Sequence, residues 1–166
     1  MKIARVDAFA ISIEPQSRGA QSADQHEYGD HFIARDEWTS IYSRRLQTTL
    51  VRIETDDGVV GWGEGQAPVS PRTTKTIVEG LCRPVVLGHD PFDVEYVWYR
   101  LYSAMRERGH ITGFYVDALA AIDIALYDVL GKALGLPAHR LLGGRFRERV
   151  PVYVGISGTL PDEVAA

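Results

Sequence analysis

The stretch from Gly113 to Gly144 constrains this chain more than any other. Leu119, Ile122, Ala125, Leu126, Val129, Leu130 and Ala133 occupy more than half of a helical circumference. A helix that is apolar over so much of its surface is buried rather than surface-mounted, so other elements must be wrapped around it. Gly135 and Pro137 stop it, because glycine accepts the left-handed conformation of a helix end and proline cannot continue a helix. A short turn ending Leu141-Leu142-Gly143-Gly144 follows.

The wrapping elements come earlier in the chain. Ile3 to Ile13 alternates, with Ile3, Phe9, Ile11 and Ile13 on one face and Val6, Ala8 and Ala10 on the other, and predicts a strand. Tyr42 to Thr55 predicts a second strand and Val59 to Glu64 a third, joined at the tight turn Asp56-Asp57-Gly58. Between the first two, Glu14 to Trp38 is rich in Gln, Ser, Gly, Asp and His, with no sustained period. A loop of that length inside a compact domain is usually a lid, a binding loop or a disordered segment.

Three helices are expected next. Ser70 is placed to cap the first, Pro71 suits its first position, and it runs towards Cys82 until Pro84 closes it. Asp90-Pro91 repeats the start signal for a second, with Val94, Val97, Trp98, Leu101 and Met105 as its apolar face, and Gly113 opens the third. The expected fold class is α+β: a three-stranded antiparallel meander followed by a helical bundle. Val150 to Ile156 reads as another short strand and Pro161-Asp162-Glu163 as a helix start. They look like the first βα unit of a second domain, which gives domains at 1–145 and 146–166.

Composition removes several function classes. The balance of 18 basic against 22 acidic residues, net charge −4, lacks the clustered basic face of a nucleic-acid binder. Arg44-Arg45 with Arg52 comes nearest to one and reads as a solvated strand edge. No apolar run approaches the roughly 20 residues of a membrane span, and the charged N-terminus lacks the apolar core of a signal peptide. A single cysteine, Cys82, excludes an internal disulfide and fits a reducing compartment, so a cytoplasmic protein is expected. Cys82 itself reads as a buried, inert thiol.

Few residues suggest chemistry by themselves. Asp123 and Asp128 lie about 140° apart around the helix and cannot share a small metal site, whereas Asp128 and Lys132 stand in the favourable acid-first order for an ion pair. Asp123, flanked by Ile122 and Ile124, is expected to be buried and to need donors. Gly61-Trp62-Gly63-Glu64-Gly65 ends the third strand; its glycines allow another backbone to come close, and Glu64 alone reads as a solvated strand-end carboxylate. His26, Glu27, Tyr28, Asp30, His31 and Asp36 fit no zinc spacing and read as a polar loop. Arg106 and His110 near a helix end are electrostatically favourable there without any further role. Ser157 either caps a turn with Gly158 or presents a hydroxyl.

Taken in order, the first strand and long loop, the Gly-Trp-Gly-Glu hairpin, the Asp90-Pro91 helix, the Asp123/Asp128/Lys132 helix, the Leu-Leu-Gly-Gly turn and the Val150–Ile156 strand resemble the N-terminal part of mandelate racemase/muconate-lactonizing enzymes of the enolase superfamily. Tyr127 stands where tryptophan is the commoner residue. The resemblance implies a capping domain that hands the chain to a TIM-type (β/α) barrel, with Val150–Ile156 as the first barrel strand. It implies proton abstraction α to a carboxylate, an enolate stabilised by Mg²⁺, and a small carboxylate substrate, with an acid-sugar dehydratase or a racemase/epimerase favoured and a homo-oligomer as the full-length assembly. In such enzymes the long loop closes over the barrel mouth, and Tyr28, His31, Glu64 and Ser157 become the expected substrate contacts. The base and the metal ligands would lie on later barrel strands, so neither a catalytic residue nor a metal ligand is expected in these 166 residues. The alternatives are a muconate-type lactonizing enzyme, or a short binding protein if the chain truly ends at Ala166.

Overall fold

The computed structural model describes residues 1–14, 25–35 and 38–153. Among the described residues six strands, β1 (Ile3–Ile13), β2 (Gln25–Tyr28), β3 (Phe32–Arg35), β4 (Trp38–Ser43), β5 (Leu46–Thr55) and β6 (Val60–Gly65), form two antiparallel sheets. The larger has the order β1-β5-β6 and the smaller β2-β3-β4. The larger sheet is the expected meander, and the smaller one is inserted between its first two strands.

That insertion corrects two expectations. Glu14–Trp38 is not without structure, and the strand expected from Tyr42 to Thr55 is two strands that belong to different sheets. The break falls at Arg44-Arg45. The Arg44 N–H donates to the His31 carbonyl (2.9 Å) and the Arg45 N–H to Ser43 Oγ (3.0 Å), which turns the chain out of one sheet and into the other. The short pairs His26↔Ala34, Glu27↔Ile33 and Tyr28↔Phe32 mix polar with apolar residues, so no two-residue period marks them.

The buried face of β1 is also the reverse of what simple alternation suggests. Ile3, Val6 and Ala8 are buried, while Phe9 and Ile13 face outward. The register against β5 shifts between Ile3 and Arg5, so Ile3 and Val6, three residues apart, reach the same side. Phe9 lies across from Trp62 on the outer face, with ring centroids 5.9 Å apart.

Helix α1 (Pro71–Ile77) passes through one π turn, Val78–Cys82, into the short α2 (Arg83–Val86). Pro71 holds the expected first position, but Ser70 makes no capping bond from its side chain and adopts φ 60°. Pro84 does not close the helix. The Arg83 N–H reaches back to the Val78 carbonyl, and this wider turn relieves the clash a proline ring makes with the carbonyl four residues earlier. Cys82 is fully buried here, and burial pushes its thiol up to about 12, so it stays protonated.

Helix α3 (Val94–Arg106) begins three residues after Pro91. Asp90 Oδ1 accepts the Phe92 N–H (3.0 Å) and forms a turn ahead of the helix. Val94, Val97 and Leu101 are buried as expected, but Trp98 stacks on Tyr102 at the helix flank, with centroids 4.9 Å apart.

Helix α4 (Phe114–Leu134) is the centre of the core, and nine of its residues are buried. Its end is a Schellman turn: Leu136 N–H bonds the Gly131 carbonyl (2.9 Å) around Gly135 at φ 64°. The glycines of β6 face it. A Cβ on Gly63 would overlap the Ala121 carbonyl, one on Gly61 the Ala125 carbonyl, and one on Gly65 would stand 2.7 Å from the Asp117 carbonyl. Strand and helix backbones therefore touch along a seam that admits no side chain.

The Asp128–Lys132 ion pair (2.6 Å) is present and does more than link two turns of helix. Asp128 also accepts the Trp62 N–H (2.8 Å), and Lys132 donates to the Val60 carbonyl (2.8 Å). One pair thus satisfies a donor and an acceptor on the free edge of β6. Asp123 is only half-buried and no donor reaches it among the described residues; burial and the nearby Glu95 carboxylate both push its carboxyl above the ordinary value.

The last helix among the described residues, α5 (Ala138–Leu141), is one turn long, and Gly143 and Gly144 follow at φ 97° and 107°. Of the expected barrel strand, Val150–Tyr153 are exposed and belong to no strand; the remainder, and the expected helix start at Pro161, lie outside the described residues.

Candidate functional site

His31 and Glu64 sit at the end of the larger sheet where β1 ends and β5 begins, and Tyr28 belongs to the smaller sheet. Tyr28 closes β2 and pairs with Phe32 across the turn that holds His31, and its ring is half exposed. His31, within that turn, is partly buried. Glu64 lies on the outer face of β6, where its carboxylate accepts the Thr48 hydroxyl (2.6 Å). Ser157 lies outside the described residues. Tyr28 and His31 share the β2–β3 hairpin, but only His31 lines the cleft described below, and Glu64 is on the opposite face of the larger sheet.

On the helix side, the sheet, the β2–β3 turn and the start of α1 enclose a cleft of about 310 Å³, lined in part by Ser12, Asp30, His31, Arg45, Gln47 and Arg72. Small-molecule sites start at about 300 Å³. Gln47 continues the inward-facing row of Thr49, Val51 and Ile53, and Ser12 continues that of Ala8. Where those rows pass beyond the apolar core they become polar, and this is why a polar cavity opens at this end.

The polar groups form a chain. Gln47 Nε2 lies 3.2 Å from Ser12 Oγ and 3.2 Å from His31 Nε2. With the amide nitrogen donating, His31 Nε2 is the acceptor of this contact. Both His31 Nδ1 and Gln47 Oε1 are buried and have no hydrogen-bond partner among the described residues. Charges of both signs ring the opening. Arg45 Nη2 lies 3.3 Å from Glu14, Asp30 lines the same wall, and Arg72 forms no ion pair among the described residues.

The other two arginines of the Arg44, Arg45 and Arg52 group are paired. Arg44 meets Glu27 (2.7 Å), and Arg52 meets Glu54 (2.8 Å) and Asp7 (3.4 Å). Among the described residues no group of three His, Cys, Asp or Glu side chains could hold a metal ion. These residues do not fit a Mg²⁺ site. No helix among them is long and apolar enough to cross a membrane.

Gln47, Ser12 and Arg72 are absent from the sequence expectation. A signal for the first two exists: each is polar in phase with a buried apolar row. Arg72 carries none, because its place at the opening follows from how the turn at Ser70 sets α1.

Solved structures share this architecture and define its class. A member of the enolase superfamily from Agrobacterium tumefaciens superimposes with TM-score 0.80 at 36% identity, over 86% of this chain and 37% of that one. A muconate cycloisomerase from Azorhizobium caulinodans does so with TM-score 0.65 at 28% identity, over 91% of this chain and 33% of that one. The chain belongs to the mandelate racemase / muconate lactonizing enzyme family, whose N-terminal domain matches residues 32–143. Among curated relatives, the D-galactonate dehydratase of Pectobacterium atrosepticum is 40% identical over 130 residues, 77% of this chain and 33% of the relative. The D-galactarolactone cycloisomerase of Agrobacterium fabrum is 43% identical over 112 residues, 68% of this chain and 28% of the relative. The chain spans about a third of the length of the curated relatives it matches.

Proposed function

We propose that this chain is the capping part of an enzyme that removes the proton α to the carboxylate of an acid sugar and expels water from the neighbouring carbon. The observation that carries this is the 40% identity to a D-galactonate dehydratase across most of the chain. The cap ends near residue 145, after the paired glycines, and a barrel follows. In this reading Tyr28, His31, Glu64 and Ser157 face the substrate, while the base and the ligands of a Mg²⁺ that stabilises the enolate belong to other residues of the full-length protein. The enzyme works as a homo-oligomer in the cytoplasm.

The test is incubation of the full-length protein with D-galactonate and Mg²⁺ in D2O. Loss of the C2 proton signal together with formation of a 2-keto-3-deoxy acid is the expected result. Absence of both exchange and product across a panel of aldonic and aldaric acids would overturn it. A second reading, cycloisomerisation of a sugar lactone, is favoured by the 43% identity to a D-galactarolactone cycloisomerase, and the same panel with lactones included separates the two.

A further inference from the structure

Between the start of α3 and the second half of α4 lies an open groove of about 440 Å³, walled by Phe92, Tyr96, Tyr127, Leu130 and Leu141, with Asp93 and Glu95 also in its lining. Asp123, Tyr127 and Leu130 follow one stripe of α4, so Asp123 continues the groove by a helical turn. Burial, and then the charges of Asp123 and Glu95, push the Tyr127 hydroxyl upward, so both carboxylates stand close to this wall. Neither they nor Asp93 form an ion pair among the described residues. The groove is thus aromatic and apolar, and it carries three negative charges that nothing offsets. A matching partner is basic and brings an apolar side chain.

The chain itself holds such a segment directly after α5: Arg145-Phe146-Arg147-Glu148-Arg149. Its arginines have no ion pair among the described residues, and Phe146 is 93% exposed. Leu141 lies beside Tyr127 and Leu130, so the chain has already turned back along α4 before it leaves α5. Gly143 and Gly144, both at positive φ, separate the segment from that helix, and its direction can change without disturbing α5. The five residues from Leu141 to Phe146 reach up to about 17 Å, whereas the turn from Tyr127 to Asp123 is only about 6 Å. A second copy or a separate protein would need the same composition, and the tether presents it at high effective concentration.

We propose that the groove between α3 and α4 is the docking site of the chain's own Arg145–Arg149 segment in the full-length protein, with Phe146 entering among Phe92, Tyr96 and Tyr127 and the arginines pairing with Asp93, Glu95 and Asp123. Docked in this way, the segment fixes the direction in which the chain leaves the cap and so sets the following domain against it. The inference goes beyond the acid-sugar reading and does not depend on it, because neither readout below uses turnover.

The test uses the full-length protein. Trypsin cuts after Arg145, Arg147 and Arg149 only when the segment is undocked, and cleavage tracks the population of that open form. Cutting in this segment, followed by fragment mass, is expected to be slow in the unaltered protein and about tenfold faster in Glu95→Gln/Asp123→Asn. A second measurement leaves the acids in place: Arg145→Lys/Arg147→Lys/Arg149→Lys keeps the charge, and a carbodiimide joins each lysine to the carboxylate beside it. Coupled peptides linking this segment to Asp93, Glu95 or Asp123 of the same chain are the expected result. Immediate cutting in the unaltered protein, or a rate that the double variant leaves unchanged, overturns the proposal. So do coupled peptides that run only to other carboxylates or to a second copy, and if the double variant does not fold the coupling alone decides.

Discussion

Replacing Gly63 with alanine should destabilise the fold by about 3 kcal/mol, the upper end of what overpacking a core costs. The new methyl would overlap the Ala121 carbonyl and stand 2.7 Å from the Ala125 nitrogen, where ordinary contact starts at 3.4 Å. Helix α4 must therefore retreat by at least about 0.7 Å, and a gap of that width forfeits roughly a quarter to a half of the dispersion energy of each contact it opens. The obstacles are backbone atoms on both sides, so no side-chain rotation relieves them. Urea unfolding followed by far-UV circular dichroism measures the loss; with a slope of about 2 kcal/mol per molar, the midpoint falls by roughly 1.5 M. Gly80→Ala is the control. Gly80 has nothing within 4 Å of its would-be Cβ and no positive φ, so the same change there leaves stability level or raises it by about 0.4–1 kcal/mol. A Gly63→Ala midpoint indistinguishable from the unaltered chain would refute the reading of β6 and α4 as a backbone-to-backbone seam.

Three further outcomes follow from the core. Asp128→Ala removes the partner of both Trp62 N–H and Lys132, groups still partly in water, and should cost about 1–2 kcal/mol in the same urea assay; a loss below about 0.3 kcal/mol would show that the edge of β6 does not need it. The Asp123 carboxyl is held above its ordinary 3.8 by burial and by Glu95. Its contribution is thus fully present below that pH and is lost as pH rises through the folded-state value. Asp123→Asn should therefore gain on the unaltered chain as pH is raised from acid to neutral, and a stability difference that stays constant with pH would contradict this. Cys82, with its thiol at about 12, should resist a disulfide reagent at pH 8 until urea unfolds the chain; labelling within seconds in native buffer would place it at the surface.

Much of the main layer could be read from the chain because its signals are local. The apolar circumference of α4, its Gly135 stop and the Asp57-Gly58 turn each act within a few residues, and each is where it was expected. The misreadings come from non-local causes. The Ile3/Arg5 irregularity in β1 changes which face is buried without changing which residues are apolar. The small sheet depends on pairing between segments too short to carry a period, and Pro84 is tolerated only because a π turn precedes it. At the candidate site, His31 was legible as a polar loop residue, but its partner Gln47 is apparent only once β1 and β5 are laid side by side.

The glycine seam between β6 and α4 also behaves as a vernier. Two residues of strand advance about 6.6 Å and four residues of helix about 6.0 Å, so the two scales slip by about 0.6 Å at each mark. Gly61, Gly63 and Gly65 meet carbonyls at Ala125, Ala121 and Asp117, four residues apart along a helix running the opposite way. Over three marks the slip stays near 1 Å, which small residues absorb; by a fifth it would exceed 2 Å and the scales would no longer coincide. A seam of this kind is therefore self-limiting in length, and it locks the helix against sliding, because the next position where all three marks fit is a full four residues away.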